Sequence, residues 1–144
     1  SSLQLTEPQM LTLLEGCPLL QSFSSRTWHA RVADCLPSSL RSLSLSHANL
    51  EDFPRSLLRC FMHLQNLNLS FNPRLGDDAL LALCEISLPE LQELWICGWS
   101  LSTSIAVDLF ELLLKALPHL RHVVASKIPT LARSFRRAGM LDPP

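Results

Sequence analysis

The chain has 144 residues, 47% of them hydrophobic and 17% charged, with a formal net charge of -1. That is long enough for one domain, too apolar for a disordered segment, and too evenly charged to suggest a nucleic-acid-binding surface or an acidic solvating tail. The longest leucine-rich run, Leu109 to Leu117, is broken by Glu111 and Lys115 and falls short of the ~20 apolar residues that a membrane span requires, so no membrane segment is expected.

Taken in order, the chain opens with Ser1-Ser2-Leu3-Gln4-Leu5, which has neither the basic start nor the apolar core of a signal peptide. A first helix is predicted from Thr6-Glu7-Pro8, where threonine can cap and proline fits the first turn. With Leu11, Leu14, Cys17 and Pro18 it reads as the back half of a unit whose strand would precede residue 1. The N-terminal edge, Leu3 to Leu14, is therefore expected to meet further repeats or another chain.

One phrase then recurs. It starts at Leu20, Leu40, Leu64, Leu91 and Leu120, in steps of 20, 24, 27 and 29 residues. Its fullest form is Leu64-Gln65-Asn66-Leu67-Asn68-Leu69, a leucine pattern of the form L-x-x-L-x-L with Asn72 three positions later. That spacing and the step lengths are those of a leucine-rich repeat. Alternation across Leu43-Ser44-Leu45, Leu67-Asn68-Leu69 and Leu94-Trp95-Ile96 predicts a short strand in each unit with one face buried. After the strand the chain turns and becomes helical. In the third unit Leu75 fills the corner, Asp77 can cap, and Leu80 with Leu83 forms an apolar face. Further helix starts are marked at Asp52-Phe53-Pro54, Ser102-Thr103-Ser104 and Ile128-Pro129. The longest helix is expected over about Ser104 to Ala116, with Leu109, Leu112, Leu113 and Leu117 facing the core and Val107 and Phe110 flanking. Residues 129–144 read as a C-terminal capping segment, with Leu131 and Phe135 packed inward.

The predicted fold class is α/β: a leucine-rich-repeat solenoid with a parallel concave β-sheet and convex helices, built as a single domain over residues 1–144 with about five repeats. Leu64 to Leu83, with Leu75, Asp77, Leu80 and Leu83, resembles the cysteine-containing and ribonuclease-inhibitor-like leucine-rich repeats, and Leu5-Thr6 with Leu11, Leu14, Cys17 and Pro18 resembles the same back half. The ninth position of the units holds Trp28, Ala48, Asn72, Trp99 and Ile128, so one unit carries the turn-tying asparagine, and the first unit is degenerate, with Ser25 at position six. The resemblance implies an intracellular substrate receptor of the F-box ubiquitin-ligase type or a scaffold. No F-box helices are present in the chain, so the first role requires a further segment. Five cysteines, an odd number without a C-x-x-C pair, fit reduced thiols in an intracellular, cytoplasmic setting.

Function in such a fold belongs to side chains beside the inward leucines. Counting the first leucine as one, positions three, five, seven and eight are expected to face outward. Most are small hydroxyls and amides. Against them stand Trp95 and Phe71, large apolar groups at solvent-facing positions, with Glu93, His47 and His122 nearby; an aromatic anchor with a polar rim is the usual centre of a protein interface. These five residues are the predicted partner-binding set. Trp99, at the turn position, is expected in the core. Cys17, Cys60 and Cys84 close helices as small fillers, whereas Cys97 is expected to face outward beside Trp95 as an accessible thiol. Lys127, Arg133, Arg136 and Arg137 form a local basic cluster suited to a helix C-terminus.

Other chemistries find no footing. The four glycines stand apart, so no phosphate loop exists. No nucleophile elbow, zincin motif or paired catalytic carboxylates occur, and His119-x-x-His122 lacks further ligands. No catalytic residue, cofactor or metal is predicted. The function expected is a non-catalytic protein-protein interaction module, the recognition portion of a larger adaptor binding another protein on its concave face. A structural subunit of a stable complex is the alternative.

Overall fold

The computed structural model describes residues 6–28, 36–53, 62–86, 88–101 and 106–125, the side chains of 106–110 excepted. Its strands are β1 (Ser22–Ser24), β2 (Ser42–Ser44), β3 (Asn66–Asn68), β4 (Glu93–Trp95) and β5 (His122–Val124), and its helices α1 (Glu7–Glu15), α2 (Asp77–Glu85) and α3 (Ala106–Ala116). The strands form one parallel sheet in chain order. Each begins two residues after the first leucine of its phrase, as the spacing predicts. Parallel neighbours need a crossover, and among the described residues those from β3 to β4 and from β4 to β5 carry α2 and α3.

Register follows from the repeat. Phe23, Leu43, Leu67, Leu94 and Val123 are aligned across the five strands, and all but the half-buried Phe23 are buried. A second row, Leu45, Leu69, Ile96 and Ala125, is buried two residues later, and the phrase-opening Leu40, Leu64, Leu91 and Leu120 make a third. No single unit could hide these side chains. Stacked leucines remove one another from water, at roughly 1.5–3 kcal/mol for each fully buried side chain.

The helices close the other side. Thr6 caps α1, accepting from the Gln9 amide at 3.4 Å while the Gln9 side chain accepts from the Thr6 amide at 2.9 Å, a reciprocal pair that satisfies two donors. Met10 and Leu14 are its buried residues. In α2, Leu80 and Leu83 are buried as expected, with Ala79 and Ala82 beside them. The expected cap Asp77 is instead the first helical residue; Gly76 is the N-cap, and no side chain caps it. Gly76 pairs with Ser100 as an isolated parallel bridge, and that close approach leaves no room for a capping side chain. Asp77 and Asp78 then place their carboxylates in the first turn, where the helix dipole favours negative charge.

Helix α3 packs against α2. Leu113 and Leu117 are buried, but Leu112, assigned to the same face by its spacing, is 47% exposed. A 3.6-residue period puts 113 and 117 on one line and turns 112 a quarter-turn away. The expected helix starts after Phe53, Leu101 and Lys127, the basic cluster and the 129–144 cap lie outside the described residues. No helix among the described residues is long and apolar enough to cross a membrane.

Candidate functional site

The sheet face away from the helices is built from strand positions three and five. It runs from Ser22 and Ser24 through Ser42 and Ser44 to Asn66 and Asn68, then changes character at Glu93 and Trp95. Pleating sends these side chains outward because their neighbours in the strand go in. Trp95 keeps 36% of its surface exposed, and its indole Nε1–H donates to the Glu93 carboxylate two residues earlier. The bond joins an aromatic ring and a negative charge on one face of one strand. His122, exposed on β5, lies in register with Glu93.

Phe71 and His47 occupy a ledge just past the strands, one repeat apart. Their rings stack with centroids 4.6 Å apart and planes 12° from parallel, and Phe71 remains 38% exposed. Both are at position eight, and both are in left-handed backbone, at φ 57° for His47 and 59° for Phe71; Gly98, the next residue in that column, is at 75°. The backbone here is held by the neighbouring unit: His47 N–H donates to the Ser70 carbonyl at 3.1 Å and Phe71 N–H to that of Cys97 at 2.7 Å. A side chain on residue 98 would come within 3.3 Å of the Phe71 ring, so the ring lies over a bare glycine. The predicted residues therefore form two groups, an indole–carboxylate pair with His122 alongside and an aromatic ledge.

In the third and fourth units position seven does not belong to this surface. Cys97, expected outward as an accessible thiol, is only 4% exposed, and Ser70 above it in the column is 1% exposed. The chain has left the extended strand by this point, so alternation no longer predicts direction. Cys97 N–H donates to Ser70 Oγ at 3.0 Å, and its thiol reaches the Val124 carbonyl at 3.6 Å. Val124, an outward position five, is buried too. A partial clue was in the column itself, since Ser46, Ser70 and Cys97 are small, as close backbone packing requires, although the column opens on the exposed Arg26.

Two residues at position nine hold the turns in place. Asn72 is fully buried. Its Nδ2 lies 3.0, 2.9 and 3.2 Å from the carbonyls of Leu45, Leu69 and Ser70, while its Oδ1 accepts from the Leu50 amide at 3.0 Å. One unit later, Trp99, in the core as expected, directs its indole Nε1–H to the same Leu69 carbonyl at 2.8 Å. The asparagine's turn-tying role was legible from its spacing; the tryptophan's use of an indole for part of the same task was not.

Described cysteines 17, 84 and 97 are free thiols. Burial, with a smaller contribution from Glu85, pushes the Cys84 thiol up to about 11, which keeps it neutral and unreactive and agrees with a filler role. Cys60 lies outside the described residues. No group of histidine, cysteine and carboxylate side chains suited to a metal occurs among the described residues.

A family model described as Leucine Rich repeat matches residues 62–84, the phrase that carries Asn72 and the first turns of α2. The chain has the leucine-rich-repeat fold. Its repeats are similar to those of monocyte differentiation antigen CD14 from Bos taurus, with 34% identity over 115 residues covering 73% of this chain and 31% of that protein. The human protein of the same name shows 33% identity over 85 residues, covering 58% of this chain and 23% of its own length. The mouse protein shows 35% over 81 residues, covering 56% and 22%. The chain thus spans less than a third of the length of these curated relatives. These matches support the leucine-rich repeat and do not show the finer subtype read from Leu75, Asp77, Leu80 and Leu83.

Proposed function

We propose that this leucine-rich-repeat chain is a non-catalytic recognition module that docks a protein partner on the sheet face opposite its helices, with Trp95, Glu93 and His122 at one contact and Phe71 and His47 at the other. The observation that carries this reading is Phe71: a bulky side chain held at φ 59° and 38% exposed. Left-handed backbone costs a non-glycine residue about 1–2 kcal/mol. Gly98 fills the same column one repeat later without that cost. A phenylalanine kept there, stacked on His47 and open to solvent, is placed for a partner's apolar group.

The test is a double variant, Trp95→Ala with Phe71→Gly. Glycine relieves the left-handed strain, which offsets the lost ring stacking, so the variant is expected to keep its circular dichroism spectrum and melt cooperatively. A partner captured by the wild-type chain, identified and purified, is expected to bind the variant about 100-fold more weakly, the scale of losing a hot-spot residue pair. Unchanged affinity in a folded variant refutes the proposal.

The second reading, a structural subunit of a stable assembly, draws on Leu13, Leu19 and Leu112, which are exposed at the helical side and the first repeat. Copurification at fixed stoichiometry with an insoluble isolated chain would favour it. A ubiquitin-ligase substrate receptor would need a ligase-docking segment, and the curated relatives, titled monocyte differentiation antigens, lend neither that role nor a cytoplasmic location any support.

A further inference from the structure

We infer that the group this face takes from its partner is an arginine side chain, stacked on the Trp95 indole and paired with the Glu93 carboxylate. The inference rests on the docking reading above and deepens it by naming the chemistry of the contact. From β1 to β4 the outward strand positions are Ser22, Ser24, Ser42, Ser44, Asn66, Asn68, Glu93 and Trp95, so Glu93 brings the one formal charge into a row of neutral hydrogen-bonding groups. That charge is coupled to an exposed ring. The indole Nε1–H donates to one Glu93 oxygen, which fixes the ring relative to the carboxylate and leaves the second oxygen available as an acceptor.

An aromatic face and an adjacent anion attract the same kind of ligand. The ring quadrupole and the carboxylate both favour a cation, and both disfavour an anion. A neutral polar partner would gain as much from the serines of β1 and β2 and has no reason to be centred on β4. Guanidinium suits the pair better than ammonium, because it is planar, stacks on indole and is weakly hydrated, while its N–H groups reach an oxygen in the ring plane's vicinity. Asn66, exposed and in register with Glu93, adds an amide beside the site.

Random peptides displayed on phage and selected against the full chain test this without knowledge of the natural partner. Enriched peptides are expected to share an arginine. Replacing it by citrulline, which is nearly isosteric and uncharged, is expected to weaken binding about tenfold or more. Glu93→Gln, a surface change that leaves the fold intact by circular dichroism, is expected to shrink the preference for arginine over citrulline to the smaller part that the Trp95 ring supplies. Enriched peptides that lose affinity for the Trp95→Ala and Phe71→Gly double variant, yet show no arginine preference or keep it undiminished in Glu93→Gln, overturn the inference and leave the docking reading standing. Peptides indifferent to the double variant, or a library that yields none, overturn both.

Discussion

Asn72 places a polar amide where the surrounding positions are leucines, and nearly every atom of that amide is used. Leu45 and Leu50 belong to the second unit, Leu69 and Ser70 to the third, and all four give Asn72 a backbone hydrogen-bonding group. Asn72→Ala would strand several of them in a buried space without water. The expected loss is about 3 kcal/mol, at 1–3 kcal/mol for each buried group left unsatisfied, measurable as a lower midpoint in urea unfolding. Leu69 would suffer least, since Trp99 also donates to its carbonyl. At this scale the leucines and Asn72 were legible because their spacing is fixed by strand geometry. The direction of Cys97 and the left-handed backbone of His47 and Phe71 were not, because both arise after the strand ends, where alternation stops being informative. Gly98 in the same column as Phe71 was the available hint.

Between elements, Gly76 approaches the fourth unit closely. Its φ is -151°, outside the left-handed region, and what requires a glycine there is space. A methyl group there would lie 2.5 Å from the Ser100 carbonyl oxygen. Ser100 cannot readily move, because its N–H donates to the Leu75 carbonyl at 2.9 Å and its hydroxyl to that of Pro73 at 2.6 Å. Gly76→Ala is therefore expected to destabilise by about 1–3 kcal/mol, as overpacking does, and to shift the amide resonances at the start of α2 and around Ser100 while leaving β1 and β2 unchanged. Helix existence was readable from apolar spacing and capping residues. The exact starts were not, because a residue such as Asp77 can serve equally as a cap or in the first turn, and the choice is made by how closely the next repeat approaches.

Across the whole sheet, burial is uneven. Leu43, Leu67, Leu94 and Val123 are buried, whereas Phe23 in the same row is partly exposed, and Ser25 stands where the other units have Leu45, Leu69, Ile96 and Ala125. In a repeat array each unit is stabilised by its neighbours alone. Opening is expected to be easiest at the first unit, so amide hydrogen exchange should be fastest at Phe23 and Ser25 and at least about tenfold slower at Leu67 and Leu94. Uniform exchange along the sheet would show instead that the array opens as one body. The overall architecture was legible from one sequence because it depends on a period. The docking surface was legible only in part, since its residues sit at positions that the period leaves free.

Units this similar raise a difficulty of correspondence: one strand could pair with the wrong neighbour and still bury leucine against leucine. Asn72 and Trp99 remove that ambiguity. The amide of Asn72 matches the Leu45 carbonyl and the Leu50 N–H on one specific preceding unit, and the indole of Trp99 matches the Leu69 carbonyl that Asn72 also uses. A chain shifted by one repeat would offer alanine or tryptophan in place of the asparagine and lose both matches. These two residues thus act as address labels on an otherwise interchangeable series, and they tell the middle units which neighbours are their own.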